Sequence, residues 1–215
     1  LKDTSRSFYL TLNVLPKKIR NQIGLTYLLA RISDTIADSR VGNHKNLIDL
    51  ISIYSDRIQG VTKEMPDLTD LSVLQENLAE KELLKNIDIP INYLEKSNSL
   101  NDSDRMKIRK CLEIIIEGQK LDLERFGMPT KENIVALKSE KELDEYTYSV
   151  AGCVGEFWTH MSVDHQFDTN EELRKELFEK GIKFGKALQL INILRDIPED
   201  ILMGRCYIPE DELLR

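Results

Sequence analysis

An all-α fold is predicted for this 215-residue chain from three observations. Only 10 glycines and 6 prolines punctuate it. Its long segments carry apolar residues at helical spacing, and no stretch sustains the every-other-residue alternation of a half-buried strand. Apolar residues make up 41% of the chain and charged residues 31%, the balance of a soluble globular protein with ample material for a core. The chain is read as a single domain over residues 1–215.

Each element follows from local chemistry. The stretch "SRSFYLTLNVLP" predicts a short helix stopped by Pro16. Residues 17–38 predict one long helix, apolar at Ile19, Ile23, Tyr27, Ala30 and Ile36, and another helix is expected over about 44–59. The region 60–102 is the least legible, with turn signals at Gly60, Pro66, Pro90 and "SNSLNDS". Ser103 is suited to cap the next helix, which runs to about Phe126 before "GMP" breaks it. A further helix is expected over 139–162, and a last long one from near Glu171 to about Ile201. Pro198 removes a hydrogen bond from that helix and is expected to kink it. "GRCYIPEDEL" then reads as a turn and the start of a further element. Beginning at Leu1 and ending on "DELLR", the chain is read as cut at both ends.

Composition narrows the function classes. A formal net charge of −7 without a Lys/Arg cluster argues against nucleic acid as a partner. Cys111, Cys153 and Cys206 are odd in number, widely spaced and set among apolar neighbours, as expected of reduced thiols in a cytoplasmic protein. No CxxC or paired-His spacing suggests zinc. No apolar run approaches the length of a membrane span, and no signal peptide is visible.

Two acidic stripes stand out. Tyr27, Arg31, Asp34 and Asp38 are spaced by four, three and four, which places them within about 60° of one another on a helix. Gln189, Asn192, Asp196, Glu199 and Asp200 fall within about 100° on the last long helix. The flanking Leu188, Leu190, Ile191, Ile193 and Leu194 suggest that this second stripe faces an interior cavity. Buried carboxylates need compensation. Mg²⁺ takes oxygen ligands and commonly joins one or two carboxylates to a substrate phosphate, so facing aspartate pairs with Asn192 and nearby arginines would suit metal ions holding a diphosphate. A solvated acidic face is the bland alternative for either stripe alone. "YTYSVAGCVGEFW" places Tyr146, Val150, Cys153 and Phe157 on one face, and Ala151, Gly152 and Gly155 keep that helix slim. Close helix packing accounts for the slimness by itself.

Taken together, "SRSFYLTLNVLP", "YLLARISDTIAD", "YTYSVAGCVG" and "GKALQLINILRDIPEDILMGRCYIP" resemble the squalene/phytoene synthase family, the head-to-head prenyl synthases. The motifs keep family order and spacing, with residues 42–105 matching loosely. The resemblance implies an all-α isoprenoid-synthase bundle around a central cavity, with further helices beyond residue 215 that close it. It implies two Mg²⁺-binding motifs, Asp34/Asp38 and Asp196/Asp200, with Asn192 assisting. Ser5, Arg6, Ser7 and Phe8 would form a flap-like first segment near a diphosphate. Tyr27, Arg31, Arg195, Arg205 and Tyr207 would surround the diphosphates, Tyr146 would sit near the departing one, and Gln189 would line the site. Asp122 in "GQKLDL" matches a family element in which Gln119 replaces a Met, and is given no role.

The chemistry so implied joins two prenyl diphosphates, farnesyl diphosphate foremost, through a cyclopropyl diphosphate to squalene, with NADPH as hydride donor. Phytoene-type members lose a proton instead and need no NADPH. Thr35, in "ISDTIAD", is more like squalene synthases, since phytoene-type members more often carry an acidic residue there. A lipid product makes contact with a membrane surface an expectation. The rivals are a head-to-tail elongase, which usually shows DDxxD twice; a non-catalytic scaffold relative, which loss of aspartates would mark; and a di-iron bundle, which needs two Glu-x-x-His motifs. Here the motifs are DTIAD and DIPED, all four aspartates are present, and no Glu-x-x-His occurs.

Overall fold

The computed structural model describes residues 4, 7–39, 44–127 and 130–213, with the side chains of Ser7 and His44 also outside the description. The chain forms two compact units, one of residues 1–116 and 160–168, the other of 117–159 and 169–215. Most of the described residues are helical and very few are strand, as the sequence predicts. No helix among the described residues is long and apolar enough to cross a membrane.

In the first unit, α1 (Ser7–Val14) ends before Pro16, which serves as N-cap of α2 (Lys17–Ala37). Arg20 closes this corner by donating to the carbonyls of Asn13 at 2.7 Å and Leu15 at 2.7 Å. These are carbonyls that a helix end leaves unsatisfied. α2 buries Ile19, Ile23, Leu29, Ile32 and Ile36, and α3 (His44–Gln59) buries Ile51, Tyr54 and Ile58. The fully buried Tyr54 hydroxyl donates to the Leu29 carbonyl at 2.8 Å, so the aromatic ring joins the core without an unpaired polar tip.

The region 60–102 holds three short helices that the sequence left unassigned: α4 (Thr69–Leu74), α5 (Leu78–Lys85) and α6 (Asp88–Lys96). Asn77 caps α5, its Oδ1 accepting from the amides of Ala79 at 3.0 Å and Glu80 at 3.3 Å. Pro90 stands in the first turn of α6, where its missing N–H costs nothing; it is a helix-start residue here and not a turn signal. α7 (Asp102–Phe126) is capped by Asn101, whose Oδ1 accepts from Asp104 N at 2.7 Å, and not by Ser103 as the sequence suggested. Ser103 lies one residue inside the helix and accepts from Lys107. Asp104, 2% exposed, accepts from Gln22 Nε2 at 3.0 Å and lies 2.7 Å from His165 Nε2, tying α2 and α7 to the 160–168 segment of this unit.

The second unit contains the end of α7, then β1 (Val135–Ala136), α8 (Glu140–Thr147), a π-helical turn (Tyr148–Gly152), the part of α9 (Cys153–His165) up to Thr159, α10 (Glu171–Leu202), β2 (Arg205–Cys206) and α11 (Glu210–Leu213). Ser139 and Asn170 cap α8 and α10 through their side chains. The expected helix over 139–162 is thus interrupted by one π turn, which shifts the helical phase between Tyr146 and Cys153. α10 continues through Pro198. Gly204, at φ 81°, turns the chain so that β2 pairs parallel with β1, Val135 opposite Arg205 and Ala136 opposite Cys206. Cys111, Cys153 and Cys206 are buried, and none of them is in a disulfide.

α9 and α10 touch backbone to backbone. A Cβ on Gly155 would lie 2.0 Å from the Gly181 carbonyl oxygen, and one on Gly185 would lie 2.2 Å from that of Ala151. The slim stretch of α9 is therefore a packing device. Gly185→Ala is expected to destabilise by about 1–3 kcal/mol, since the backbone must yield; a thermal midpoint equal to wild type would show that the contact is not tight.

In the first unit Arg57 grips Glu95 through two bonds, Nη1–Oε1 at 2.5 Å and Nη2–Oε2 at 3.1 Å. The Arg57 hydrogen bond outweighs burial and holds the Glu95 carboxyl at about 2, below its usual 4.5. A depressed carboxyl contributes stability that is present above the unfolded value and lost as pH falls through the folded one. That contribution, about 3 kcal/mol, should disappear between roughly pH 5 and 2. Glu95→Gln should flatten that limb in denaturant titrations at graded pH.

Candidate active site

The first acidic stripe lies along α2. Tyr27 donates its hydroxyl to the Thr4 carbonyl at 3.0 Å, and its ring lies 4.8 Å from that of Phe8, so Thr4 and Phe8 are held against α2. Arg31 is salt-bridged to Glu80 of α5 and lies 4.0 Å from Asp34. Burial acts to lower the Arg31 pKa, but its bond to Glu80 and the charges of Glu80 and Asp34 outweigh this and raise it. Burial raises the Tyr27 pKa. Arg31, Thr35, Asp38, Gln75 and Glu80 line a cleft of about 630 Å³ within this unit. Asp34 is half-buried and Asp38 exposed. Ser5, Arg6 and the Ser7 side chain lie outside the described residues, so the expected flap is represented by Phe8.

The second stripe lies along α10, and its surroundings invert the expectation. Leu188, Ile191 and Leu194 are 46%, 60% and 66% exposed; among the five flanking apolar residues only Ile193 is buried. The helix therefore does not sink its stripe beneath an apolar cover. Its polar side is the more sheltered one: Gln189, Asn192, Asp196 and Asp200 are half-buried, while Glu199 is exposed. Glycine contact with α9 fixes that rotation, since it turns Gly185 and Ile193 inward.

Around this side the second unit packs a small aromatic cluster. Tyr207, just after β2, lies against Phe126, Leu137 and Ile193, with Tyr146 alongside. Its ring stacks on Tyr146 at 4.4 Å and meets Phe126 edge-on at 5.1 Å. Tyr207 donates its hydroxyl to Asp122 at 3.0 Å, and Gln189 donates to the Tyr146 hydroxyl at 3.3 Å. Asn192 donates to Gln189 at 3.3 Å. Arg125 also holds Asp122, at 3.2 Å. Burial dominates the titration here: it pushes the Asp122 carboxyl up to about 6 against the pull of Tyr207 and two arginines, and it raises both tyrosines.

Arg195 forks onto its neighbour Asp196 with bonds of 2.7 and 2.6 Å, which lowers the Asp196 carboxyl. Asp200 is raised, first by burial and then by the charge of Asp196, while Arg205 opposes the rise. Arg205 lies over the Phe126 ring at 5.9 Å, and its buried Nε has no hydrogen-bond partner.

Among the described residues no three His, Cys, Asp or Glu side chains cluster around one point. Each aspartate pair offers two carboxylates, the number Mg²⁺ uses when phosphate oxygens and water complete its shell. The crowding of negative charge on Asp200 and the unpartnered Arg205 Nε fit a cation and an anion arriving together.

Comparison with known proteins accords with this arrangement. The family model for squalene/phytoene synthase matches residues 1–215. The chain belongs to the squalene/phytoene synthase family. It is 28% identical to squalene synthase ERG9 of Saccharomyces cerevisiae over 215 residues, 97% of this chain and 44% of that protein. It is also 28% identical to the bifunctional lycopene cyclase/phytoene synthase of Phycomyces blakesleeanus over 223 residues, 99% of this chain and 33% of that protein. The fold matches that of TcSQS, solved with the ligand E5700, at a TM-score of 0.74 and 22% identity, over 97% of this chain and 55% of that one. The chain spans less than half the length of these two curated relatives. The isoprenoid-synthase helical fold expected from the sequence is thereby established.

Glu80 is the residue that sequence reasoning passed over. The pattern Asn77-x-x-Glu80 resembles a capping box and could have marked the start of α5, though not the reach of Glu80 to Arg31. Glu80 also accepts from Gln75 at 3.0 Å and Asn77 at 3.2 Å. Glu80→Gln should release Arg31 while leaving the cap. The expected outcome is a substrate KM altered by about 3- to 10-fold with kcat less affected, as uniform ground-state binding changes; kinetics identical to wild type would mean that Arg31 does not depend on Glu80.

Proposed function

We propose that this protein catalyses a Mg²⁺-dependent head-to-head condensation of two prenyl diphosphates, farnesyl diphosphate foremost, through a cyclopropyl diphosphate to squalene. The observation that carries this reading is the half-buried stripe of Gln189, Asn192, Asp196 and Asp200 beside the Tyr146–Tyr207 stack, in a chain matched throughout by the family model. Bound Mg²⁺ would stabilise charge developing on the leaving diphosphate. Asp34 and Asp38, and Asp196 and Asp200 with Asn192, are the residues to hold it. Arg31, Arg195 and Arg205 supply donors to phosphate oxygens, as planar guanidinium groups do well. Tyr27 and Phe8 form the aromatic edge of the α2 stripe. Tyr146 and Tyr207 present aromatic faces that favour a carbocation and help keep water from it.

Thr35 supports the squalene branch. Its hydroxyl donates to the Arg31 carbonyl at 2.8 Å, so the position is neutral and turned onto its own helix. NADPH would then be the hydride donor. Equal identity to a phytoene synthase relative favours, as the second reading, a phytoene- or dehydrosqualene-type product formed without NADPH. Prenyl diphosphates are the proposed partners, with peripheral contact to a membrane surface because the product is a lipid.

Incubation with farnesyl diphosphate and Mg²⁺, with and without NADPH, followed by mass spectrometry of the lipids, separates these readings. Squalene formed only with NADPH is expected; dehydrosqualene in both would select the second reading. Asp34→Ala and Asp196→Ala should each abolish turnover with the helical circular dichroism retained. Full activity in either would remove that aspartate from the metal assignment.

A further inference from the structure

We propose that the first unit carries a separate anion site, a cleft between the ends of α3 and α6 and the start of α7 that takes a phosphate monoester group.

The cleft, of about 690 Å³, is lined by Lys63, Lys96, Arg105 and Arg109, with Glu95 and Asp102 as the carboxylates on its wall. It shares no lining residue with the cleft of Arg31 and Asp38. Its cations are spread over residues 63–109, so only folding gathers them into a cluster. Glu95 does little to neutralise them. The buried Arg57 takes both Glu95 oxygens, and Lys63 touches Glu95 at 3.2 Å with a side chain 82% exposed, where such a pair is weak. Asp102 answers Arg105 at 3.1 Å but is fully exposed. Lys110 and Glu113, beside the cleft, pair with each other. With Arg57 counted, five cations stand against two carboxylates. The C-terminal ends of α3 and α6 each add about half a negative charge, which still leaves about two positive charges unanswered.

Helix capping accounts for part of this arrangement. Arg105 donates its Nε to the Leu94 carbonyl at 2.9 Å and one Nη to that of Ser97 at 2.6 Å, closing the end of α6. Arg109 donates its Nε to the Ile58 carbonyl at 3.0 Å, near the end of α3, and Gln59 Nε2 bonds the Arg109 carbonyl at 2.9 Å in return. Arg109 is thus fixed at both its backbone and its Nε. Capping leaves donors over. Among the described residues no acceptor meets the Arg109 Nη groups, and Lys96 bonds only to the neutral Asn92 side chain. Gly60 lies beside those Arg109 donors: a Cβ there would stand 3.6 Å from Nη2.

The spare charge and donors select the ligand. A phosphate monoester carries about −1.5 to −2 at neutral pH and has three acceptor oxygens. That charge matches the excess, whereas a carboxylate brings a single charge and leaves part of it unanswered. The spare donors come from three segments, Lys63 after α3, Lys96 at the end of α6 and Arg109 on α7, as suits a tetrahedral group better than a planar one. A soluble phosphate ester and the headgroup of an anionic lipid share this chemistry.

The test uses the 215-residue protein with EDTA present, so that metal-dependent diphosphate binding stays silent. Titration with inorganic phosphate at neutral pH should shift the Gly60 amide and Arg109 Nε–H signals saturably in nitrogen–proton correlation NMR spectra, and added salt should weaken the effect. Arg109→Gln and Lys96→Gln should each weaken binding by about 10-fold or more, read at Gly60. The exposed Lys96→Gln should keep the thermal midpoint, and it carries the test if Arg109→Gln does not fold. Sedimentation with phosphatidylcholine vesicles, with and without phosphatidic acid, separates the sources. Saturation by inorganic phosphate upholds the site for a soluble phosphate ester. Pelleting that requires phosphatidic acid and is lost in Lys96→Gln upholds it for a lipid headgroup. Neither a saturable shift nor such pelleting, or binding that the variants leave within about 2-fold of wild type, would overturn the proposal.

Discussion

The arrangement of the second unit depends on one close contact, the meeting of α9 and α10 at Gly155, Gly181 and Gly185. With carbonyl oxygens where side chains would otherwise begin, the two helices can pack only in a narrow range of rotations. That rotation turns Ile193 into the aromatic cluster and carries Gln189 to the Tyr146 hydroxyl. It also fixes the side of α10 on which Asn192, Asp196 and Asp200 lie, because those residues follow Gln189 at helical spacing. The parallel pairing of β1 with β2 is the second fixture. It follows directly on the Gly204 turn and delivers Tyr207 into the same cluster from the other end of α10.

The consequence for α10 is an inverted polarity. An amphipathic helix usually hides its apolar side and wets its polar side. Here Phe184, Leu188, Ile191 and Leu194 are exposed and the polar stripe is half-buried. Sheltering polar groups without partners is costly, and the structure meets that cost locally with the Gln189–Tyr146 and Asn192–Gln189 bonds and the Arg195–Asp196 fork. Asp200 has no such bond; burial first, and then the charge of Asp196, raises its carboxyl.

Much of this was legible in the sequence because the signals are local. Long helices such as α2 and α10 announce themselves through periodicity, and Asp34/Asp38 and Asp196/Asp200 share faces by spacing alone. α4, α5 and α6 were hidden because six to nine residues give too few turns for a period, and Pro90 reads as a break unless its place in the first turn is known. Asn101 and Ser103 are equally good caps on paper; only the backbone direction chooses between them. The π turn at Tyr148–Gly152 depends on packing against α10 and leaves no pattern that α-helical spacing would reveal. Apolar residues beside the second stripe misled for a similar reason: composition records that a face is apolar, not that anything covers it. Glu80 was passed over because its partner, Arg31, is 49 residues away; Asp122 was noticed but given no role, because its partner Tyr207 is 85 residues away.

The arginines give the proposed site its electrostatic logic. In a chain of net charge −7, an arginine left alone beside an aspartate pair would be neutralised by whichever carboxylate is nearest. Arg31 is held by Glu80 and is half-buried, and Arg195 is held by Asp196 at an exposed position, so both are already aimed. Exchanging a carboxylate for a phosphate oxygen then costs little new ordering, since the same planar fork serves both acceptors. Arg205 differs, with a buried Nε that no acceptor meets. A buried donor without an acceptor raises the energy of the free protein, and an arriving diphosphate oxygen would relieve it. The site is thus read as one whose cations are preorganised by the protein's own carboxylates, with one of them kept short of a partner until the substrate supplies it.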